Sequence, residues 1–223
     1  MEGPARVVID SPGRPSGSGG GDPLFLFALT HGAGGGVEAP DVLAARDAGL
    51  RLGGAVARIT QPYRVRGGRA PGSADRQDAA WVEIIATLRR QLGRQLGRQP
   101  GRQLDGIPLV QGGRSNGARV ACRTARSVGA RAVIALAFPL RPPAHPERSR
   151  EAELWETGAE VLVVNGDRDP FGVPSEAQGV RVTVLAGESH ALSKKPEAVA
   201  DAVASWLRTV LNLSLSPNDE ETP

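Results

Sequence analysis

Cysteine is all but missing from this chain: among 223 residues there is one, Cys122. A lone thiol cannot close an intrachain disulfide, and metal sites built from several cysteines are excluded. Cys122 falls in a helical pattern of small residues and reads as a buried small side chain, not a reactive thiol. No motif calls for a cofactor or a metal ion. Aromatic residues make up 4% of the chain, too few to build the stacking platforms that hold single-stranded nucleic acid. The formal charge is only +3 although the pI is about 9.7, because nearly all the cations are arginine. Those charges are spread along the chain, so the basicity reads as solvated surface and no nucleic-acid partner is expected. No apolar run reaches the roughly 18 residues needed to span a bilayer, and no membrane partner is expected. Glu2, the early Pro4 and the lack of an apolar signal-peptide core make a cytoplasmic location the expectation.

What is present is organised around Val110 to Ala118. Leu109 and Val110 read as the end of a buried strand, and Gly113, Ser115 and Gly117 spell Gly-x-Ser-x-Gly. Asn116 to Val128 reads as a helix with Ala118, Ala121 and Ala125 on one face. A strand that turns sharply into a helix holds its turn residue at strained backbone angles, and glycines without Cβ let the two arms pass closely. Such a nucleophile elbow pushes Ser115 Oγ out at the carboxyl edge of a sheet, at the positive end of the next helix.

The other parts follow in order. Val161 to Val164 is a β-branched run typical of a buried parallel strand, and it ends in a turn carrying Asp167 and Asp169. Arg181 to Leu185 is the next strand, and its turn carries His190. The order Ser, Asp, His, each at a strand end, is that of the α/β-hydrolase arrangement. Asp167 and Asp169 are two apart and cannot both face His190. Upstream, the strand Leu24 to Thr30 runs into His31-Gly32-Ala33-Gly34-Gly35-Gly36. A backbone N–H of that loop, Ala33 by position or Gly34 as the alternative, would pair with the N–H of Asn116 to form an oxyanion hole.

The remaining chain suits one α/β domain over residues 5–211. Arg6 to Asp10 reads as an edge strand, and 11–21 as a flexible Ser/Gly/Pro-rich loop. Asp41 to Ala48 should be helical, and Val56 to Ile59 a short strand. A longer helix starts near Ser73 to Asp75, its core face marked by Trp81, Ile85, Leu88 and Leu92. It runs into a Gln-Leu-Gly-Arg repeat over 91–104, where recurring glycine and Pro100 argue against stable helix. The repeat reads as a solvated low-complexity tail; the alternative is a basic surface for an acidic partner. Ala132 to Ala137 is another buried strand. The interval Phe138 to Gly158 has room only for a Pro-rich loop and a short helix near Ser149 to Glu156, so no cap domain is expected. Pro196 to Leu211 forms the last helix, and 212–223 reads as a disordered tail.

Taken together, His31-Gly32-Ala33-Gly34, Gln61-Pro62-Tyr63, Gly112-Gly113-Arg114-Ser115, Gly166 to Gly172 and His190 resemble a small α/β hydrolase of the dienelactone-hydrolase-like type. The likeness is to the cap-less branch that includes testis-expressed protein 30 and the hydrolase-like domain of NSL-complex regulatory subunit 3. The resemblance implies a doubly wound, mostly parallel sheet flanked by helices and a Ser-Asp-His triad. It also favours Asp169 as the acid, because Asp169 stands three after Gly166 and before Pro170-Phe171-Gly172 as the family's acid does. Asp167 then becomes a turn former or a helper. Dienelactone hydrolase carries a cysteine nucleophile where this chain has Ser115, so the likeness does not extend to that specific activity.

The expected catalytic set is Ser115, Asp169 and His190, with Ala33 and Asn116 donating backbone N–H groups. It suits a serine hydrolase of small ester, thioester or lactone acyl substrates. An interaction module with weak turnover and a peptidase are the alternatives. His31 is expected to order its loop, His145 to be exposed, and Glu188 and Arg168 to be solvated. Arg114 is read as pairing either with an acidic substrate group or in a structural salt bridge. Nothing in the sequence selects an acyl-chain length, a leaving group, an oligomeric state or a physiological partner.

Overall fold

Runs of apolar and β-branched residues bounded by glycine and polar turns form the strands of one sheet. The computed structural model describes residues 3–12, 22–95 and 106–213. Among them the strands are β1 (Arg6–Asp10), β2 (Leu26–Thr30), β3 (Ala55–Thr60), β4 (Leu109–Arg114), β5 (Ala132–Leu136), β6 (Glu160–Gly166) and β7 (Val180–Leu185). Their spatial order is β1-β3-β2-β4-β5-β6-β7. β1 pairs antiparallel with β3, Val8 standing opposite Arg58. Every other pairing is parallel, for example Phe27 with Val110 and Val110 with Ala132. β2 and β5 are buried at every position. That is why they read as continuous apolar runs and not as alternating ones.

The helices cover both faces. α1 (Pro40–Arg51) and α6 (Pro196–Val210) lie on one side, where Val42, Ala45, Val199 and Val203 meet Phe27, Ile134 and Leu162. α3 (Ala74–Gln95) and α4 (Asn116–Val128) lie on the other. The short α2 (Pro62–Val65) follows β3, and α5 (Glu151–Trp155) packs beside α4. The expected stripe Trp81, Ile85, Leu88 and Leu92 is buried against Leu26, Ala57 and Leu109. The face Ala118, Ala121 and Ala125 is buried against Val133 and Val163, with Cys122 beside it at 1% exposure. Burial pushes the Cys122 thiol far up, so it stays protonated and inert.

The expectations hold in type and shift at the edges. α3 continues through Gly93 to Gln95, into the first repeat, although glycine there argued against helix. The buried Leu92 extends the same core stripe and outweighs the glycine. The rest of the repeat, most of the 11–21 loop and residues 214–223 lie outside the described residues. Asn212 and Leu213, placed in the expected tail, instead close α6, with the N–H of Leu213 donating to the Arg208 carbonyl at 2.9 Å. Between β5 and β6 there is only α5 and loop, so among the described residues this interval places no cap over the carboxyl edge of the sheet. Among the described residues no helix is long and apolar enough to cross a membrane.

One buried polar side chain ties three elements together behind the elbow. Gln111 on β4 is fully buried. Its Oε1 accepts from the Trp81 indole N–H at 2.7 Å, and its Nε2 donates to the Ala121 carbonyl at 2.6 Å. α3, β4 and α4 are thus joined by bonds with both partners in low dielectric. Gln111→Leu leaves the Trp81 N–H and the Ala121 carbonyl with fewer partners. The expected loss is about 1–3 kcal/mol, read as a lowered urea midpoint at unchanged m-value.

Candidate active site

Ser115 stands between β4 and α4 in a conformation that L-residues avoid, with φ 52° and ψ −112°. The neighbouring glycines make this possible. A Cβ on Gly117 would lie 2.6 Å from the His31 carbonyl oxygen, and one on Gly113 would lie 2.8 Å from the Gly117 carbonyl carbon. Any side chain at either position would force the arms of the elbow and β2 apart. Ser115 Oγ is therefore held half-exposed at the carboxyl edge, at the start of the 13-residue helix α4.

The turns after β6 and β7 bring the other two side chains to it. His190 Nε2 lies 2.9 Å from Ser115 Oγ, and His190 Nδ1 lies 2.8 Å from Asp169 Oδ2. These partners assign the tautomer: Nδ1–H donates to the carboxylate, and Nε2 accepts from the serine hydroxyl. The Asp169 side chain is fully buried, whereas that of His190 is 20% exposed. Asp169 Oδ1 accepts from the Phe171 N–H at 2.9 Å. The Phe171 ring stacks on the imidazole at 4.4 Å between centroids. Asp167 is exposed and does not join this chain of bonds. Its Oδ1 accepts from the Gly187 N–H at 2.7 Å and closes the turn beside it.

The Gly-rich loop after β2 lies against the elbow, since a Cβ on Gly32 would stand 3.3 Å from Ser115 Cβ. Two side chains fix it. His31 is fully buried; its Nδ1–H donates to the Gly32 carbonyl at 2.8 Å and its Nε2 accepts from the Gln61 N–H at 3.1 Å. Burial holds the His31 pKa below its ordinary value, so this imidazole stays neutral. The Tyr63 hydroxyl donates to the Ala33 carbonyl at 3.2 Å. His31 orders the loop, as the sequence suggested, and Gln61-Pro62-Tyr63 is the segment it is ordered against. Among the described residues, the N–H groups of Ala33, Gly34 and Asn116 have no protein partner.

Three side chains that position this site were not singled out by sequence reasoning, or were misread. Glu188 was expected to be solvated; it is fully buried. Its Oε1 accepts from the N–H groups of Lys194 at 2.8 Å and Lys195 at 2.6 Å, which ties the His190 turn to the start of α6. These two backbone bonds to Oε1 offset part of the cost of burying the carboxyl, whose Oε2 has no hydrogen-bond partner among the described residues. Asn165 is also buried. Its Nδ2 donates to the Phe138 and Gly172 carbonyls and, at 3.4 Å, to Asp169 Oδ2. Asp41 is the third. It is fully buried at the start of α1, 3.2 Å from Arg114 Nε. That contact is a charge pair off the line of a hydrogen bond. Arg114 in turn donates through Nη2 to the His190 carbonyl at 3.0 Å. Arg114 is thus a structural partner of Asp41 and a support of the histidine turn. His145 is exposed beside Glu147, and Arg168 is exposed, both as expected.

Residues 23–209 match the model of a family described as an alpha/beta hydrolase domain. Among solved structures, a lid-less a/b serine hydrolase from Xanthomonas campestris superposes with a TM-score of 0.69 at 19% identity, over 97% of this chain and 94% of that one. An alpha-beta serine hydrolase homologue from Coxiella burnetii gives 0.62 at 19%, over 93% and 95%. Dienelactone hydrolase from Anabaena variabilis gives 0.61 at 17%, over 92% and 91%. At these identities the likeness establishes the fold. No curated protein matches the chain.

Asp41 supplies a test of how the site is held. Burial pushes its carboxyl from the ordinary 3.8 up to about 6, with the Arg114 charge opposing that rise. A carboxyl raised in the folded state destabilises the fold where it is ionised, so its contribution falls as pH rises from about 4 to about 6. The difference corresponds to about 3 kcal/mol. Asp41→Asn should flatten that part of the stability–pH curve, read by urea denaturation at pH 4, 5, 6 and 7. The same substitution should remove the charge that orients Arg114.

Proposed function

The chain belongs to the alpha/beta hydrolase family, and on that premise we propose that it is a serine hydrolase that cleaves small ester, thioester or lactone acyl substrates. Catalysis runs through a Ser115–His190–Asp169 triad and an acyl-enzyme. The observation that carries this reading is the continuous chain of bonds, 2.9 Å from Ser115 Oγ to His190 Nε2 and 2.8 Å from His190 Nδ1 to Asp169 Oδ2, with the serine in strained backbone. The likeness to the cap-less branch with testis-expressed protein 30 and NSL-complex regulatory subunit 3 is part of the same proposal, as is a cytoplasmic location.

In the first half-reaction Ser115 Oγ attacks the acyl carbonyl carbon, and its proton passes to His190 Nε2. Asp169 accepts the Nδ1–H and stabilises the imidazolium that forms. The carbonyl oxygen becomes an oxyanion that takes hydrogen bonds from the N–H groups of Asn116 and of Ala33, or Gly34 beside it. These donors are free and fixed in advance, so no reorganisation is needed as charge develops. The bond to the leaving group breaks, and His190 returns the proton to the departing oxygen or sulfur. Water then attacks the acyl-enzyme with His190 as base, and the acid leaves. Arg114, Glu188 and Asn165 touch no reacting atom in this scheme; they position the histidine and its acid.

The test is labelling with a fluorophosphonate probe. Wild type should label and Ser115→Ala should not. Asp169→Asn should label at least about 100-fold more slowly, because the histidine loses its orienting carboxylate, while Asp167→Asn should label within a fewfold of wild type. Equal reaction of wild type and Ser115→Ala would sink the enzymatic reading and leave the interaction module in its place.

A further inference from the structure

A sheet ends in two edge strands, and each presents a row of backbone N–H and C=O groups that can pair with another strand. Here the edges are β1 and β7. β7 is partly covered. Ala177 exchanges both backbone bonds with Val180, at 3.1 and 2.9 Å, and the Glu176 carboxylate accepts from the Val182 N–H at 3.2 Å. β1 is not covered: among the described residues no hydrogen bond reaches it from its outer side. It has no proline, lysine or bulge, and its register with β3 is unbroken from Arg6–Thr60 to Asp10–Val56. Its charges stand only at its two ends. Val7, Val8 and Ile9 between them are 37%, 38% and 38% exposed. An apolar edge without such protection is a template for strand addition.

Charge selects the strand that is added. Side chains alternate across a sheet, so Arg6, Val8 and Asp10 share one face of β1. On that face Asp10 and Glu38 both bind Arg58, Asp10 at 2.7 Å. Two carboxylates against one guanidinium leave one negative charge over. Arg6 stands about 13 Å away along the strand and makes no ion pair among the described residues. One strand face therefore holds an unmatched cation and an unmatched anion that do not meet within the chain. An antiparallel copy of the same strand brings them together. With Val8 opposite Val8, Arg6 of each copy stands opposite Asp10 of the other, and Val7 stands opposite Ile9. Opposite charges in such positions stabilise a sheet, and like charges destabilise it. A parallel, in-register copy would set Arg6 against Arg6.

The other face of β1 adds apolar surface. Val7 lines a groove of about 850 Å³ between β1 and α3, together with Ala80, Ile84 and Leu88. A two-fold axis through Val8, normal to the sheet, keeps α3 of both copies on the same side, so the two grooves open onto each other. Five residues a side are fewer than the roughly 20–30 of a standard interface, and the groove walls add contact that the strands alone lack.

We propose that β1 pairs antiparallel with β1 of a second copy of this chain. Val8 lies on the two-fold axis, Arg6 of each copy faces Asp10 of the other, and two seven-stranded sheets become one.

Sedimentation velocity of the full chain between about 1 and about 100 µM should show a species of twice the 23.2 kDa chain mass at the upper end. Arg6→Glu sets like charges opposite each other twice. It should raise the dimer dissociation constant about 10-fold or more, while thermal melting stays within a few degrees because Arg6 holds nothing in its own chain. Disulfide trapping reads the register. Cys122 is buried and inert, so an added thiol is the reactive one. Val8→Cys should give a covalent dimer on mild oxidation, because directly opposite residues of an antiparallel pair are about 4.5–5.5 Å apart, within disulfide reach. Ile9→Cys should cross-link far more slowly, since it lies about 8 Å from its own copy, beyond that reach. A monomer throughout the range leaves β1 to some other strand and overturns the proposal. A dimer that Arg6→Glu does not weaken, or in which Ile9→Cys cross-links as fast as Val8→Cys, overturns it too.

Discussion

The backbone of Ser115 is the constraint on which the rest of the site depends. At φ 52° and ψ −112° the residue occupies a region that costs of order 1–3 kcal/mol. It stays there because its surroundings leave no alternative. The Ser115 N–H donates to the Leu136 carbonyl at 2.9 Å, the first turn of α4 begins immediately after it, and Gly113 and Gly117 are pressed against Thr30 and His31. The strain is held by three parallel strands at once: β4 carries the turn, β5 accepts its N–H, and β2 closes against its glycines. The same closure brings the loop of Ala33 beside the serine.

The histidine is placed by a different kind of interaction. Its turn has no regular structure, so it is fixed by side chains that reach into it. Glu188 binds the N–H groups that open α6, Asp169 takes the ring Nδ1–H, and Arg114 takes the backbone carbonyl of His190. Arg114 comes from the strand end next to Ser115, so Ser115 and His190 are both referenced to one residue. Two carboxylates, Asp41 and Asp169, stand behind the arginine and the histidine. The imidazole is thereby held at two points, its ring nitrogen and its own carbonyl. In the proposed mechanism such preorganisation lets His190 take the Ser115 proton and hand it to the leaving group without first having to be oriented.

What the sequence revealed follows from which signals are local. The strand β4, the elbow and helix α4 were legible because Gly-x-Ser-x-Gly, the apolar run and the alanine face all lie within 20 residues of chain. Ser115, Asp169 and His190 stood out because each sits at the end of a recognisable strand. Choosing Asp169 over Asp167 needed the resemblance, and the structure assigns Asp167 to a turn bond with Gly187. Glu188 was misread, because an acid in a turn looks solvated until its partners are known. Those partners are backbone N–H groups six and seven residues on, which carry no side-chain signature. Asp41 escaped notice for a stronger reason. It is 73 residues from Arg114 in the chain, and only the packing of α1 against the strand ends brings the two together. Gln111 carried no signal of its own, because its bonds to Trp81 and Ala121 need three elements in register.

Asp41 and Ser115 together show how the fold tolerates its site. One is a carboxyl whose burial disfavours its charge; the other is a residue in disfavoured backbone. Each costs a few kcal/mol against a typical net stability of 5–15 kcal/mol. Both costs fall on one short stretch of the sheet's carboxyl edge, where Arg114 and Ser115 are consecutive. Such a concentration is tolerable only if the body of the sheet carries a surplus. The surplus is visible in β2, β4, β5 and β6, where Phe27, Leu29, Val110, Ile134, Leu162 and Val164 are within 1% of complete burial. At roughly 1.5–3 kcal/mol for each fully buried large aliphatic or aromatic side chain, a few such positions outweigh both local costs. The buried strands therefore supply the stability, and the strained, charged residues are confined to the ends of those strands, where the chain must turn in any case.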